Sequence, residues 1–128
     1  MTKILLVEDG KMLRIAGTRA LTRAGYEVVA AVDGEEALRL AQESPPDLIL
    51  LDMMLPKVTG LDVLRGLKSD ARTMNVPVIV LSGLSPANRE RLMVEGAAAF
   101  FEKTEKILAN DSAELLEAVR DVLASTAK

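Results

Sequence analysis

Five short apolar segments alternate with helical patterns along the chain, and this alternation limits the possible folds more than any other feature. The segments are ILLV (4–7), EVVAAV (27–32), LILL (48–51), VIVL (78–81) and AAAFF (97–101). Nearly unbroken apolar segments indicate strands that are covered on both faces, as in a parallel sheet. Strands that alternate with helices predict one doubly wound α/β domain with right-handed crossovers.

The intervals between these segments carry helix start and stop signals. Residues 11–24 form the first helical pattern, and Gly25 ends it. Asp33 with Glu36 predicts a capping box, and Thr59 with Asp62 predicts another capped start. The other predicted boundaries are Gln42, Ser85, Glu95 and Asp111. The predicted apolar faces contain Leu13, Ala16, Ala20, Leu21 and Ala24 in the first helix, Leu61, Leu64 and Leu67 in the third, and Leu115, Val119 and Val122 in the last.

Length and composition exclude several classes of function. At 128 residues the chain is predicted to be a single domain, 1–128, with no output domain. It has neither cysteine nor histidine, which excludes disulfides, thiolate chemistry, Ser-His triads and histidine-bound zinc. A net charge of -3 and an aromatic content of 2% predict no nucleic-acid partner. No apolar stretch is long enough for a membrane span, so we expect a cytoplasmic protein without a membrane partner.

Polar residues follow four of the five apolar segments. Glu8 and Asp9 follow the first, Asp52 the third, Ser82 the fourth, and Lys103 lies just after the fifth. In open α/β sheets ligands bind beyond the carboxyl ends of the strands. We therefore expect these five side chains to converge on one site.

Three carboxylates at one site require a compensating positive charge. Two unit charges about 4 Å apart interact by about 4 kcal/mol at an effective dielectric constant of about 20. Oxygen ligands favour Mg²⁺, while Lys103 is suited to pair with Asp52 or with a phosphoryl group, to which Ser82 can also donate. Asp52 is thus predicted to be a nucleophile that accepts a phosphoryl group. Neither a GxGxxG nor a GxxxxGK[ST] motif supports a nucleotide-binding alternative.

From Lys3 to about Leu123 the sequence resembles the receiver domains of two-component response regulators. The resemblance is carried by ILLVEDG, LILLDMMLPKVTG, VPVIVLSG and FFEK, which occur in that order at the ends of the predicted strands. It implies a flavodoxin-like (βα)5 fold with a five-stranded parallel sheet in the order 2-1-3-4-5. It also implies phosphorylation of Asp52. The other implied contacts are Mg²⁺ bound by Glu8, Asp9, Asp52 and the backbone carbonyl of Met54, and phosphoryl groups contacted by Ser82 and Lys103.

The resemblance further implies how such a protein signals. The phosphoryl donor would be a sensor histidine kinase or a histidine phosphotransfer protein, and Ser82 and Phe100 would be the switch residues. The face formed by the fourth helix, fifth strand and fifth helix would then control a downstream protein, with the chain a monomer or a phosphorylation-dependent dimer. Such a chain catalyses its own phosphorylation and dephosphorylation, but it is a signalling protein rather than a metabolic enzyme.

Four positions depart from the family pattern. Phe100 has no hydroxyl, so it cannot make the hydrogen bond that a tyrosine could make on turning inward. Thr104 stands where most members have a proline after the lysine, and a cis bond to a non-proline residue costs about 2.5 to 4 kcal/mol. We therefore expect a trans bond and an altered path through residues 104–110, with an added helical turn. Met54 and Leu84 are apolar and cannot orient an attacking water, which predicts slow self-dephosphorylation.

Two alternative functions remain open from the sequence. A phosphorylation-independent protein-interaction module would keep the fold and most of the site, and Thr104 is its main support. A small phosphohydrolase with an aspartyl-phosphate intermediate would need a second acid two positions after Asp52, where Met54 stands.

Overall fold

The computed structural model describes residues 1–53, 58–82, 89–102 and 113–126, and strands alternate with helices throughout these ranges. The strands are β1 (Lys3–Val7), β2 (Glu27–Ala31), β3 (Leu48–Asp52), β4 (Val78–Ser82) and β5 (Ala99–Glu102). The helices are α1 (Lys11–Arg23), α2 (Gly34–Glu43), α3 (Gly60–Lys68), α4 (Arg89–Val94) and α5 (Ala113–Thr126). The predicted alternation of strand and helix is confirmed.

The five strands form one parallel sheet in the order β2-β1-β3-β4-β5, as predicted. β3 is the middle strand, and its residues pair with β1 on one side and with β4 on the other. Leu51 pairs with Val7, so the carboxyl ends of β1 and β3 lie side by side. From β1 the chain continues to β2 on one side of it, and later enters β3 on its other side. The carboxyl ends of β1 and β3 therefore form the topological switch point, where such sheets bind ligands.

Helices cover the sheet on both faces. One core cluster joins the strands to α2, α3 and α4 through residues such as Ala37, Leu64 and Leu92. The other joins them to α1 and α5 through Leu21 and Val119, among others. Neighbouring residues of a strand belong to opposite clusters, which explains why all five residues of β3 are buried. No helix among the described residues has the length and apolar content of a membrane span.

Both predicted capped starts are observed. The amide of Glu36 donates to Oδ1 of Asp33 at 2.8 Å, and the amide of Asp62 donates to Oγ1 of Thr59 at 3.2 Å. Gly25 has φ +98° immediately after the α1 C-cap, a conformation that glycine adopts without strain. The predicted starts at Ser85 and Asp111, and residues 104–110, lie outside the described residues.

Several predicted details were wrong. Ala24 is exposed because it is the C-cap of α1, beyond the last buried turn. The fifth strand starts at Ala99 instead of residue 97, since Gly96, with φ +112°, turns the chain and the Ala97 amide donates back to Leu92. β2 ends one residue early, and Val32 is exposed. The predicted face of α3 omitted Val63, which is fully buried.

Candidate functional site

Three carboxylates meet at the carboxyl ends of β1 and β3. One carboxylate oxygen from each of Glu8, Asp9 and Asp52 lies within 4.8 Å of the other two. Asp52 is completely buried and Glu8 is 2% exposed, whereas Asp9 is exposed to solvent. We call these three residues the acid cluster. It has a buried floor and one side open to solvent.

The junction between β1 and α1 holds Glu8 through its backbone and its side chain. The Glu8 amide donates to the carbonyl of Ala31 at 3.0 Å, which extends the pairing of β1 with β2 by one residue. The Gly10 amide donates to Oε2 of Glu8 at 2.8 Å, so the carboxylate folds back onto its own loop. A Cβ built on Gly10 would lie 3.1 Å from this oxygen. The small residue therefore leaves room for the returning carboxylate.

Arg14 contacts the same loop from the first turn of α1. Its Nη1 donates to the carbonyl oxygen of Glu8 at 3.3 Å and to that of Asp9 at 3.2 Å. The sequence pattern alone did not single out Arg14. The available signal was a first turn that contains Lys11 and Arg14 but no acid, which is unusual for a helix start.

The junction between β3 and α3 brings helix and strand backbones into close contact. The Met53 amide donates to the carbonyl of Leu81, and the Gly60 amide donates to the carbonyl of Met53 at 3.2 Å. A Cβ built on Gly60 would lie 2.5 Å from Cα of Met53 and 2.7 Å from the carbonyl oxygen of Asp52. Only glycine fits there, and Gly60 was not singled out from the sequence either.

The acid cluster offers the donors that a hard divalent cation needs. Mg²⁺ binds oxygen at about 2.0 to 2.1 Å in octahedral geometry, which places its ligand oxygens roughly 3 to 4 Å apart. Oxygens within 4.8 Å of one another reach that spacing with small side-chain adjustments. One exposed carboxylate beside two buried ones also leaves the position open to water and to a substrate. The residues present fit such an ion.

The remaining predicted site residues are described to different extents. The backbone of Ser82 ends β4, one residue beyond the pair formed by Asp52 and Leu81. Phe100 lies in β5, is half-buried and packs against the core cluster on the α2, α3 and α4 side. The predicted residues outside the described ranges are Met54, Leu84, Lys103 and Thr104.

Comparisons with known proteins find relatives along most of the chain. Residues 4–120 match the family described as the response regulator receiver domain. The polar-differentiation response regulator DivK of Brucella abortus is 37% identical over 105 residues, which cover 80% of this chain and 85% of that protein. A protein proposed to be a transcriptional regulator in Pseudomonas aeruginosa is 37% identical over 126 residues, 97% of this chain. The chain spans 58% of the length of that second relative.

Solved structures share the fold over nearly the whole chain. Chemotaxis protein CheY4 of Vibrio cholerae superimposes with a TM-score of 0.85 at 29% identity, covering 95% of this chain and 98% of that one. The receiver domain of a sensor histidine kinase from Pseudomonas aeruginosa gives a TM-score of 0.83 at 28% identity, covering 96% and 98%. That structure contains a magnesium ion coordinated in its active-site cleft.

Proposed function

The chain belongs to the response regulator receiver domain family, and from this premise we propose that it is a signalling switch whose Asp52 accepts a phosphoryl group. One observation carries the proposal. Asp52 is completely buried at the end of the middle strand, yet its carboxylate lies beside those of Glu8 and Asp9. Placing like charges together in a buried site costs free energy unless a bound cation compensates them, as it would when a charged substrate reacts there. A residue that only ended the strand would not need these neighbours.

The acid cluster would hold Mg²⁺. Glu8, Asp9 and Asp52 provide carboxylate oxygens, and the backbone carbonyl of Met54 is a further proposed ligand. When bound, magnesium offsets the negative charge that collects between the carboxylates and the phosphoryl oxygens. The chain itself keeps the buried acceptor fixed on a strand, so little reorientation of Asp52 is needed before reaction.

The proposed transfer exchanges one bond to phosphorus for another. An oxygen of the Asp52 carboxylate forms a bond to phosphorus while the bond from phosphorus to a donor imidazole nitrogen breaks. The donor nitrogen keeps the electron pair of that bond and takes up a proton, which leaves an acyl phosphate on Asp52. Because these 128 residues contain no histidine, an imidazole donor has to lie outside them. We propose a sensor histidine kinase or a histidine phosphotransfer protein as that partner.

The remaining residues would read the phosphorylated state. Ser82 and Lys103 would contact the phosphoryl group, and a turn of Phe100 toward the interior would change the α4, β5 and α5 face. That face would control a downstream protein or a phosphorylation-dependent dimer. The size of the change is limited by how much better the phosphoryl group binds one of the two conformations.

Intact-mass spectrometry with acetyl phosphate tests this proposal. The wild-type chain should gain one phosphoryl group in Mg²⁺ and none when EDTA removes the metal, and Asp52→Asn should gain none. Asp121→Asn is the matched control, because it makes the same chemical change at an exposed position of α5. It should be phosphorylated like the wild type.

Two results would contradict the proposal. A wild-type chain that binds Mg²⁺ but gains no phosphoryl group would favour the phosphorylation-independent interaction module. An adduct that persists in Asp52→Asn would show that another residue is the acceptor.

A further inference from the structure

We infer that Arg14 is a positioning residue for the acid cluster, which it serves by fixing the backbone that carries Glu8 and Asp9. The inference rests on the proposed function, because it concerns how the same cluster is made ready for a cation. Arg14 is not itself a candidate ligand, since a guanidinium has no acceptor atom and keeps its charge.

The two hydrogen bonds from Arg14 restrict both peptide groups that flank Asp9. Its Nη1 lies 3.3 Å from the carbonyl oxygen of Glu8 and 3.2 Å from that of Asp9. These carbonyls belong to the peptide planes before and after Cα of Asp9, so fixing both planes fixes φ and ψ of that residue. The direction of its Cα–Cβ bond follows from these two angles. Arg14 therefore directs the Asp9 side chain through the backbone.

The second of these peptide planes is held from both of its edges. Its carbonyl accepts from Arg14, while its N–H, that of Gly10, donates to Oε2 of Glu8 at 2.8 Å. One peptide group thus links the guanidinium to a carboxylate of the acid cluster. Hydrogen bonds with one charged partner are stronger than neutral ones, and both bonds to this plane are of that kind. Movement of Arg14 would consequently disturb Glu8 as well as Asp9.

Asp9 is the member of the cluster that most needs such support. Asp52 is completely buried and Glu8 is 2% exposed, so packing restricts both of them. Asp9 is exposed and lies on a loop after the last residue of β1. A ligand on an unsupported loop loses conformational entropy whenever it binds, and a prearranged loop avoids much of that cost.

Helix stability does not explain why Arg14 occupies the first turn of α1. A positive charge near a helix N-terminus is unfavourable, and this turn also contains Lys11 and no acid. The first turns of α2 and α3 contain acids instead, as a stable helix start favours. The contact with the Glu8 and Asp9 carbonyls gives Arg14 a role that compensates for its unfavourable position.

The direction in which Mg²⁺ affinity changes when Arg14 is removed distinguishes a positioning role from a purely electrostatic one. A guanidinium close to the acid cluster repels a divalent cation, so if charge were its only influence, its removal would tighten Mg²⁺ binding. If Arg14 positions Asp9 and Glu8, its removal loosens the loop and weakens Mg²⁺ binding. The two roles therefore predict changes in opposite directions.

Isothermal titration calorimetry with Mg²⁺ tests the inference on wild type, Arg14→Met, Arg14→Lys and Arg19→Met. Residues that support metal ligands typically change affinity by about 10- to 100-fold when they are lost, so we expect Arg14→Met to raise the Kd at least about tenfold. Arg14→Lys should fall between it and the wild type, because an ammonium keeps the charge without the planar fork. Arg19→Met removes the same charge from an exposed site of α1 and should leave the Kd nearly unchanged.

Two further measurements exclude a general loss of structure. Urea unfolding without Mg²⁺ should show that Arg14→Met, like Arg19→Met, is still fully folded in the absence of denaturant. In acetyl phosphate assays, Arg14→Met should need more Mg²⁺ for its half-maximal rate and recover most of the wild-type rate at saturation. An Arg14→Met variant that binds Mg²⁺ as tightly as the wild type, or tighter, overturns the inference alone. Failure of the wild type to bind Mg²⁺ and accept a phosphoryl group overturns the proposed function and the inference together.

Discussion

The first two helices of this receiver domain begin in opposite ways. Asp33 caps α2, and the amide of Val32 donates to Oε1 of Glu36 at 3.1 Å. α1 begins after Gly10 with two cations in its first turn, and no side-chain hydrogen bond among the described residues caps it. The start of α2 has the cap and the acids that favour a helix, and the start of α1 has neither. The loop before α1 contains two acids of the cluster. The difference shows that the β1–α1 junction is shaped by the cluster more than by the helix.

α3 combines features of both starts. Thr59 and Asp62 give it a favourable cap and a favourable charge. Its first residue, Gly60, is nevertheless pressed against the backbone of Asp52 and Met53. Both junctions that lead out of the acid cluster thus contain a feature that does not favour the helix. At α1 it is the positive charge of the first turn, and at α3 it is the close backbone contact at Gly60.

The largest predicted effect is at the steric junction. Gly60→Ala should lower the free energy of unfolding by about 3 kcal/mol, the upper end for overpacking, because the new Cβ meets backbone atoms that cannot move aside. Gly17→Ala in α1 is the control, since its Cβ would lie 3.1 Å from a flexible Leu6 methyl group and should cost much less. Urea denaturation measures both changes. Equal losses in the two variants would show that Gly60 is not sterically required.

The next effect is at the capped start of α2. Asp33→Ala should lower the free energy of unfolding by about 1 kcal/mol, because the Glu36 amide loses its acceptor. Asn is an N-cap residue of similar strength, so Asp33→Asn should retain most of the stability in the same urea experiment. If the two substitutions were equally destabilising, charge and not capping would explain the role of Asp33.

A smaller effect of opposite sign is predicted at the start of α1. Lys11→Glu should raise the free energy of unfolding by about 0.3 to 1 kcal/mol, because an acid in the first turn complements the helix dipole. Lys11→Gln, which only removes the positive charge, should give roughly half of that gain. Thermal and urea unfolding at low salt measure the change. A loss of stability in Lys11→Glu would contradict the view that this helix start is compromised.

The smallest predicted effect lies at the far end of α3 from the acid cluster. Arg65 lowers the pKa of the Glu95 carboxyl below its ordinary value of 4.5. It does so mainly through two hydrogen bonds to Glu95, at 3.1 and 3.0 Å, and then through its positive charge. A lowered pKa in the folded state means that the stability this pair provides is present above 4.5 and lost as the pH falls through the folded pKa.

A comparison of wild type with Glu95→Gln measures this contribution. Over the interval from neutral pH to well below 4.5, the wild type should lose slightly more stability than the variant. The difference should shrink in high salt, because exposed charges are screened. Identical pH profiles would show that the ion pair contributes nothing measurable.

The sequence predicted the features that depend on local residue patterns. It did not reveal the features that depend on close contact between segments distant in the sequence. Continuous apolar segments revealed the parallel strands, and strand ends indicated where Glu8, Asp9 and Asp52 would meet. The role of Gly60 depends on its distance from Met53, which no spacing rule contains. The contacts of Arg14 are with carbonyl groups, which every residue has, so its partners could not be read from residue types.

The order of the strands also determines how the sheet is completed during synthesis. Once β1 and β2 have paired, β3, β4 and β5 each add to the same growing side. At about 5 to 20 residues per second, roughly one to five seconds separate the completion of β3 from the arrival of β4. During that time LILL is an open aliphatic edge, and unpaired edges of this kind recruit strands from other chains. The interval before β4 covers β3 is therefore one in which nascent copies on neighbouring ribosomes are exposed to aggregation.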